Sequence, residues 1–213
     1  MSLEKILKAE SVAIIGASKN ETKRGYQTIR TLLDEKYEGR IYPVNPKEKS
    51  ILGFKCYKKI SDIEEPVDVA LVATPAATLP AVLEDCGKNG VGGAVVLAGG
   101  FGEMGREGRK LESEMVAVAK KHHIRLIGPN TSGMLNMKSN MNLVGIRNAP
   151  KGEIALLAQS GNMALTLITE AKIKSRKGFS YYVGVGNEAD IKFHEYLEFF
   201  RQDPDTRAIL MYV

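Results

Sequence analysis

The chain has 213 residues, 44% hydrophobic and 26% charged, with 30 Lys and Arg against 25 Asp and Glu for a net charge of +5. That is room for one large domain or two small ones with an adequate core, and it excludes disorder, collagen-like repeats and a coiled-coil rod. The basic residues are spread out, aromatics are 7% and Trp is absent, so the stripe and stacking platforms of a nucleic-acid binder are missing and a small polyanionic ligand fits the charge better.

The start, Met1–Leu7, is charged and amphipathic and does not read as a signal peptide. Val12–Ile15 is apolar on both faces and predicts a buried strand; a helix follows over about 22–36, with Ile29, Leu32 and Leu33 on one face. Further strands are predicted at Ile41–Val44, Val69–Val72, Ala94–Leu97 and Arg125–Ile127, with helices over about 78–89 and 106–122. The longest apolar stretch, Val67–Leu83, is broken by Asp68, Pro75 and Pro80, so it does not predict a membrane span. This β-α-β repetition predicts a Rossmann-like α/β unit, a parallel sheet covered on both faces. Asn148–Gly152 reads as a break, which puts one domain at residues 1–147 and a second at 152–213. The second begins a new series: a strand at Ile154–Leu157, a helix over about 162–172, a strand at Tyr181–Val185, a helix over about 191–201 and a strand at Ala208–Val213. It reads as a series that stops in mid-pattern, so the chain is expected to be a fragment or one part of a complex.

Glycine-rich turns fall at strand carboxyl ends, where open parallel sheets bind ligands: Gly16, Gly99-Gly100, Gly128 and Gly161. Gly16 stands between a strand and a helix, the anion-binding arrangement, and the loop to Gly25 carries Ser18, Lys19, Lys23 and Arg24. The spacing is not that of the dinucleotide fingerprint. An NAD enzyme wants Asp or Glu at the end of the second strand, whereas this chain has Val44-Asn45-Pro46-Lys47. A lysine there suits a phosphorylated ribose, as in NADP or coenzyme A. Cys56 and Cys86 form neither a disulfide framework nor a metal spacing, and no metal site is expected.

The run Ser11–Ser18 followed by Tyr42–Lys47, Ala73-Thr74-Pro75-Ala76 and Gly128–Gly133 resembles the coenzyme A-binding domain of NDP-forming acyl-CoA synthetases. That family includes ADP-forming acetate–CoA ligase and the alpha subunit of succinyl-CoA synthetase. Ile154–Asn162, Val183–Asp190 and Asp203–Thr206 resemble, in order, the opening of the family's flavodoxin-like domain. The resemblance implies coenzyme A contacts from Gly16, Ser18, Lys19, Arg24, Val44, Asn45 and Lys47. It implies a pantetheine path along Thr74, Pro75, Gly99 and Gly100, with Asn130 and Thr131 near the thiol. Ser160 and Gly161, opening a helix, would help hold a phosphoryl group in transit. The resemblance further implies a small carboxylic acid as co-substrate and ATP or ADP with Mg bound by an ATP-grasp domain or beta subunit outside this chain. A cytoplasmic setting is expected, and the oligomeric state is open.

The family's phosphohistidine is expected beyond Val213. His122 and His123 end a helix, and His194 lies in an amphipathic pattern, so all three read as structural and no catalytic residue is expected here. Ser160 lacks the leading glycine of a nucleophile elbow, which disfavours a hydrolase. Glu103, Glu107, Glu112 and Glu114 read as a solvated helix face. The alternatives are a non-catalytic coenzyme A-sensing module, the leading part of a fused protein acetyltransferase, and, third, an NADP-linked oxidoreductase.

Overall fold

The structure, a computed structural model, describes residues 3–174 and 177–213. A short helix α1 (Leu3–Leu7) buries Leu3, Ile6 and Leu7 ahead of strand β1 (Ser11–Ile15), which is buried at every residue. Helix α2 (Arg24–Asp34) inserts Gly25, Thr28, Ile29 and Leu32, the helical spacing of one face. Strand β2 (Arg40–Val44) is followed by a two-rung hairpin of β3 (Ser50–Ile51) and β4 (Phe54–Lys55). Then come β5 (Val69–Val72), α3 (Leu79–Lys88), β6 (Gly93–Val96), α4 (Arg106–Lys121) and β7 (Arg125–Ile127). The first sheet runs β2-β1-β5-β6-β7, all parallel.

A second antiparallel pair, β8 (Met134–Asn136) and β9 (Met141–Asn142), has no counterpart among the predicted strands. After it come β10 (Lys151–Ala158), α5 (Gly161–Lys174), β11 (Phe179–Gly184), α6 (Phe193–Gln202) and β12 (Ala208–Tyr212). The second sheet runs β12-β10-β11-β8-β9, with β8 antiparallel to β11. The segment before the Asn148–Gly152 break therefore contributes two strands to the sheet that continues after it.

Side-chain alternation sorts these elements into layers. Val12 and Ile14 face a core shared with α1, α2, α6 and the inner face of the second sheet, where Ala155, Leu157, Tyr181 and Val183 lie. Ala13 and Ile15 face α3 and α4 with Leu79, Leu83 and Met115, while Leu156, Ala158 and Tyr182 face α5 on the far side. Three helices are thus clasped between the sheets. Arg125 at the start of β7 fastens the same seam, with Nε 2.9 Å from Asp190 and Nη2 2.8 Å from Glu195. Along β12, at the edge of the second sheet, every residue is exposed. Among the described residues no helix is long and apolar enough to cross a membrane.

Candidate functional site

Chain order reverses direction at β1, with β2 on one side and β5 on the other, which is the switch point where open α/β sheets bind ligands. A cleft of about 560 Å³ opens there, past the carboxyl ends of these three strands. Ile15, Val44, Pro75, Ala81 and Val82 supply apolar wall, and Gly16, Asn45, Thr74 and Thr78 supply polar rim. The volume suits a cofactor-sized ligand.

The first turn is shaped by two glycines. Gly16 has φ +89°, and a Cβ on it would stand 2.9 Å from the Ala73 carbonyl oxygen. A Cβ on Gly25 would stand 2.3 Å from the carbonyl oxygen of Gly16, so the start of α2 can pack onto the turn only without a side chain there. The N–H groups of Gly16 and Ala17 donate to the Val44 carbonyl at 3.1 and 3.3 Å, joining the ends of β1 and β2. Asn45 braces the second turn: its Nδ2 donates to Ala17 O at 2.6 Å, and its Oδ1 accepts from Lys47 N at 2.8 Å. That local ring sets Lys47 on the rim. Across the cleft, Thr78 Oγ1 lies 2.8 Å from Thr74 Oγ1.

Of the residues expected to meet coenzyme A, the cleft gathers Gly16, Val44, Asn45, Lys47, Thr74 and Pro75. Ser18 braces its own loop, its Oγ accepting from Asn20 N at 3.0 Å. Lys19 pairs with Glu48 at 2.9 Å. Arg24 turns away from the cleft, donating to the carbonyls of Val144 at 2.8 Å and Ser132 at 3.0 Å, and burial pushes its guanidinium below its ordinary pKa. Neither Ser18, Lys19 nor Arg24 lines the cleft.

Gly99, Gly100 and Asn130 meet at a second place, beyond β6 and β7. Glu103 Oε1 accepts from Gly100 N at 2.6 Å, and Asn187 Nδ2 donates to Glu103 at 2.6 Å and to Glu112 at 3.0 Å. Asn130 Nδ2 reaches Asn187 Oδ1 at 3.4 Å. Burial pushes the Glu103 carboxyl up, but the Asn187 amide and the N–H groups of Gly100 and Phe101 outweigh it and hold the pKa below its ordinary value. Glu103 and Glu112 therefore tie loops together instead of forming a merely solvated face. Thr131 is buried and donates to the Gly184 carbonyl while accepting from Gly133 N at 3.0 Å. Ser160 caps α5, its Oγ 3.4 Å from Met163 N, and a Cβ on Gly161 would stand 2.8 Å from Ser132 Cβ. The loop after β7 thus abuts the start of α5. His122 is held by Glu84, Nε2 to Oε2 2.8 Å.

Sequence reasoning missed Lys58 and Lys59, which line the cleft beside Lys47. In the sequence they are only an adjacent basic pair.

Residues 10–137 match the family described as CoA binding domain, and residues 151–213 match the succinyl-CoA ligase like flavodoxin domain. The chain is 42% identical to the ADP-forming acetate–CoA ligase of Methanocaldococcus jannaschii, aligned over 96% of this chain and 28% of that one. It is also 42% identical to the alpha subunit of ADP-forming acetate–CoA ligase I of Pyrococcus furiosus, over 100% of this chain and 47% of that one. The dinucleotide forming acetyl-coenzyme A synthetase 1 of Ca. Korarchaeum cryptofilum, solved with phosphate and ADP, superposes with a TM-score of 0.95 at 37% identity, covering 100% of this chain and 45% of that one. The chain spans less than half the length of each of these relatives. A switch-point cleft with a basic rim and Asn45-Pro46-Lys47 in place of an acid at the end of β2, together with both domain matches in order, places the chain in the CoA binding domain family, in the form that ADP-forming acyl-CoA synthetases join to a succinyl-CoA ligase-like flavodoxin domain.

Proposed function

We propose that this chain is the coenzyme A-binding portion of an NDP-forming acyl-CoA synthetase, an acid–thiol ligase. The whole enzyme would convert a small carboxylic acid, coenzyme A and ATP reversibly to acyl-CoA, ADP and phosphate, through a phosphohistidine outside residues 1–213. ATP and Mg would be held by an ATP-grasp domain or beta subunit, in the cytoplasm. Residues 1–147 would form the coenzyme A unit and 152–213 the opening of the flavodoxin-like unit.

The observation that carries this reading is the cleft, with its apolar walls, its glycine turn and Lys47 on the rim; the walls would take adenine and pantetheine, the turn would let backbone approach the pyrophosphate, and Lys47 would be a point charge for the ribose phosphate. Thr74 and Pro75 would guide the pantetheine toward Gly99, Gly100, Asn130 and Thr131. The N-terminus of α5 at Ser160 and Gly161 would present N–H groups and the positive end of its dipole to a phosphoryl group.

Titration calorimetry with coenzyme A, NAD and NADP tests the ligand. Coenzyme A is expected to bind most tightly; tighter binding of either nicotinamide cofactor would sink the reading.

A further inference from the structure

Lys47, Lys58 and Lys59 converge on one cleft from two separate segments of chain. The second segment arrives through the β3–β4 hairpin, which turns at Leu52 and Gly53, both with positive φ, +48° and +87°. Such a turn matches the twist of the strands it joins and sends the chain straight back. Its exit is then pinned twice. Tyr57 pairs with the outer edge of β2, its N–H donating to Pro43 O at 2.9 Å and its carbonyl accepting from Asn45 N at 2.8 Å. Three residues later, Ile60 N donates to Asp85 on α3 at 3.1 Å, and the Ile60 side chain is buried. Lys58 and Lys59 stand between these anchors on a fixed backbone.

No carboxylate forms an ion pair with Lys47, Lys58 or Lys59 among the described residues, whereas Lys19, on the neighbouring loop, is paired with Glu48. Asp85 lines the same cleft and offsets part of the three lysines' charge, its Oδ2 accepting from Ile60 N. Three lysines against one aspartate in the lining of a concave, partly apolar space give it a net positive potential that favours an anion with more than one charge. A dianionic phosphate can accept from several ammonium groups at once.

We infer that Lys58 and Lys59, delivered by the β3–β4 hairpin, complete with Lys47 a three-lysine cradle for the ribose phosphate of the bound nucleotide, so that the hairpin selects ligands carrying that phosphate. This rests on the coenzyme A reading of the cleft. It adds that the selectivity is shared between two segments, so removing Lys47 alone leaves part of it in place.

The test is calorimetry of the full chain with coenzyme A and dephospho-coenzyme A, which differ only in that phosphate. The unaltered chain should prefer coenzyme A. K58Q/K59Q should weaken coenzyme A about tenfold and leave dephospho-coenzyme A within about twofold, and adding K47Q should abolish the preference. K58R/K59R should keep the preference, since the charges remain. K49Q/K55Q, which removes two lysines of the same hairpin that do not line the cleft, should keep it too. A K58Q/K59Q chain with an unchanged ratio of the two affinities overturns the inference while leaving the coenzyme A reading intact. An equal loss of the ratio in K49Q/K55Q also overturns it, since net charge alone would then explain the effect. Failure of the unaltered chain to bind coenzyme A would instead overturn the underlying reading. Thermal melts of each variant separate lost binding from lost folding.

Discussion

Arg24 and Gly25 are neighbours at the start of α2, and they serve two regions built on opposite principles. Gly25 closes over the first turn and shapes the cleft; Arg24 reaches the other way, to the carbonyls of Ser132 and Val144 at the seam. At the seam nearly every polar group found has an internal partner: Glu103 and Glu112 with Asn187, Thr131 with Gly184, Arg125 with Asp190 and Glu195. At the cleft Lys47, Lys58 and Lys59 have no ion-pair partner among the described residues. Glycine-rich turns and charged residues occur at both, so composition does not separate a ligand site from an internal joint; the difference is whether the chain has already satisfied the groups it brings there.

The strongest way to break this contrast is Gly25→Ala. Its methyl would meet the Gly16 carbonyl at 2.3 Å, so α2 or the turn has to give way. A loss of about 3 kcal/mol in stability is expected, with coenzyme A binding falling alongside it. Urea unfolding and calorimetry on the same preparation measure both; an unperturbed chain would mean the turn is softer than its packing implies.

Arg24→Ala should separate the two regions. Removing the guanidinium leaves two carbonyls short of a donor and should cost about 2 kcal/mol of stability. Coenzyme A affinity should hardly change. A large drop in affinity at constant stability would put Arg24 on the ligand's phosphates after all and erase the distinction drawn between the regions.

The smallest effect concerns pH. The Glu103 pKa is held below its ordinary value by Asn187 and the Gly100 and Phe101 N–H groups despite the upward push of burial. The folded state then binds that proton less readily than the unfolded state, so the contribution is present above the ordinary carboxylate range, near about 4.3, and fades as pH falls through the folded value. Glu103 is exposed, so only a fraction of a kcal/mol is at stake. Glu103→Gln should flatten the acid limb of a plot of urea midpoint against pH; a curve parallel to that of the unaltered chain would show that the carboxylate adds nothing.

Much of the fold was legible because wholly apolar, doubly buried strands such as Val12–Ile15 and Val69–Val72 announce themselves locally. The β8–β9 pair did not, because Met134–Asn136 and Met141–Asn142 are too short and too polar to show a period, and their place is set by pairing with β11. The site divides the same way. Gly16, Asn45 and Lys47 follow directly from strand ends, so position along the chain predicts position in space. Lys58 and Lys59 depend on the bridge between Tyr57 and Val44 and on the bond from Ile60 N to Asp85, tertiary contacts with no local signature. The partners of Arg24 lie 120 and 108 residues away, so its loop context pointed to a phosphate while its bonds went to the seam.

The hairpin that carries the lysines also carries an optical reporter. The chain has eight Tyr and no Trp, so its intrinsic ultraviolet emission comes from tyrosine. Tyr57 precedes Lys58 directly, with the Lys55 ammonium 4.7 Å from its ring centre and the Tyr42 ring edge-on at 6.0 Å. Tyr57 adjoins the cleft-lining Lys58, so a polyanion drawn into the cleft would alter the electric field at that ring pair. Occupancy should therefore be readable as a change in tyrosine emission without any label, and Tyr57→Phe should remove most of that change while leaving the hairpin's backbone bridge in place.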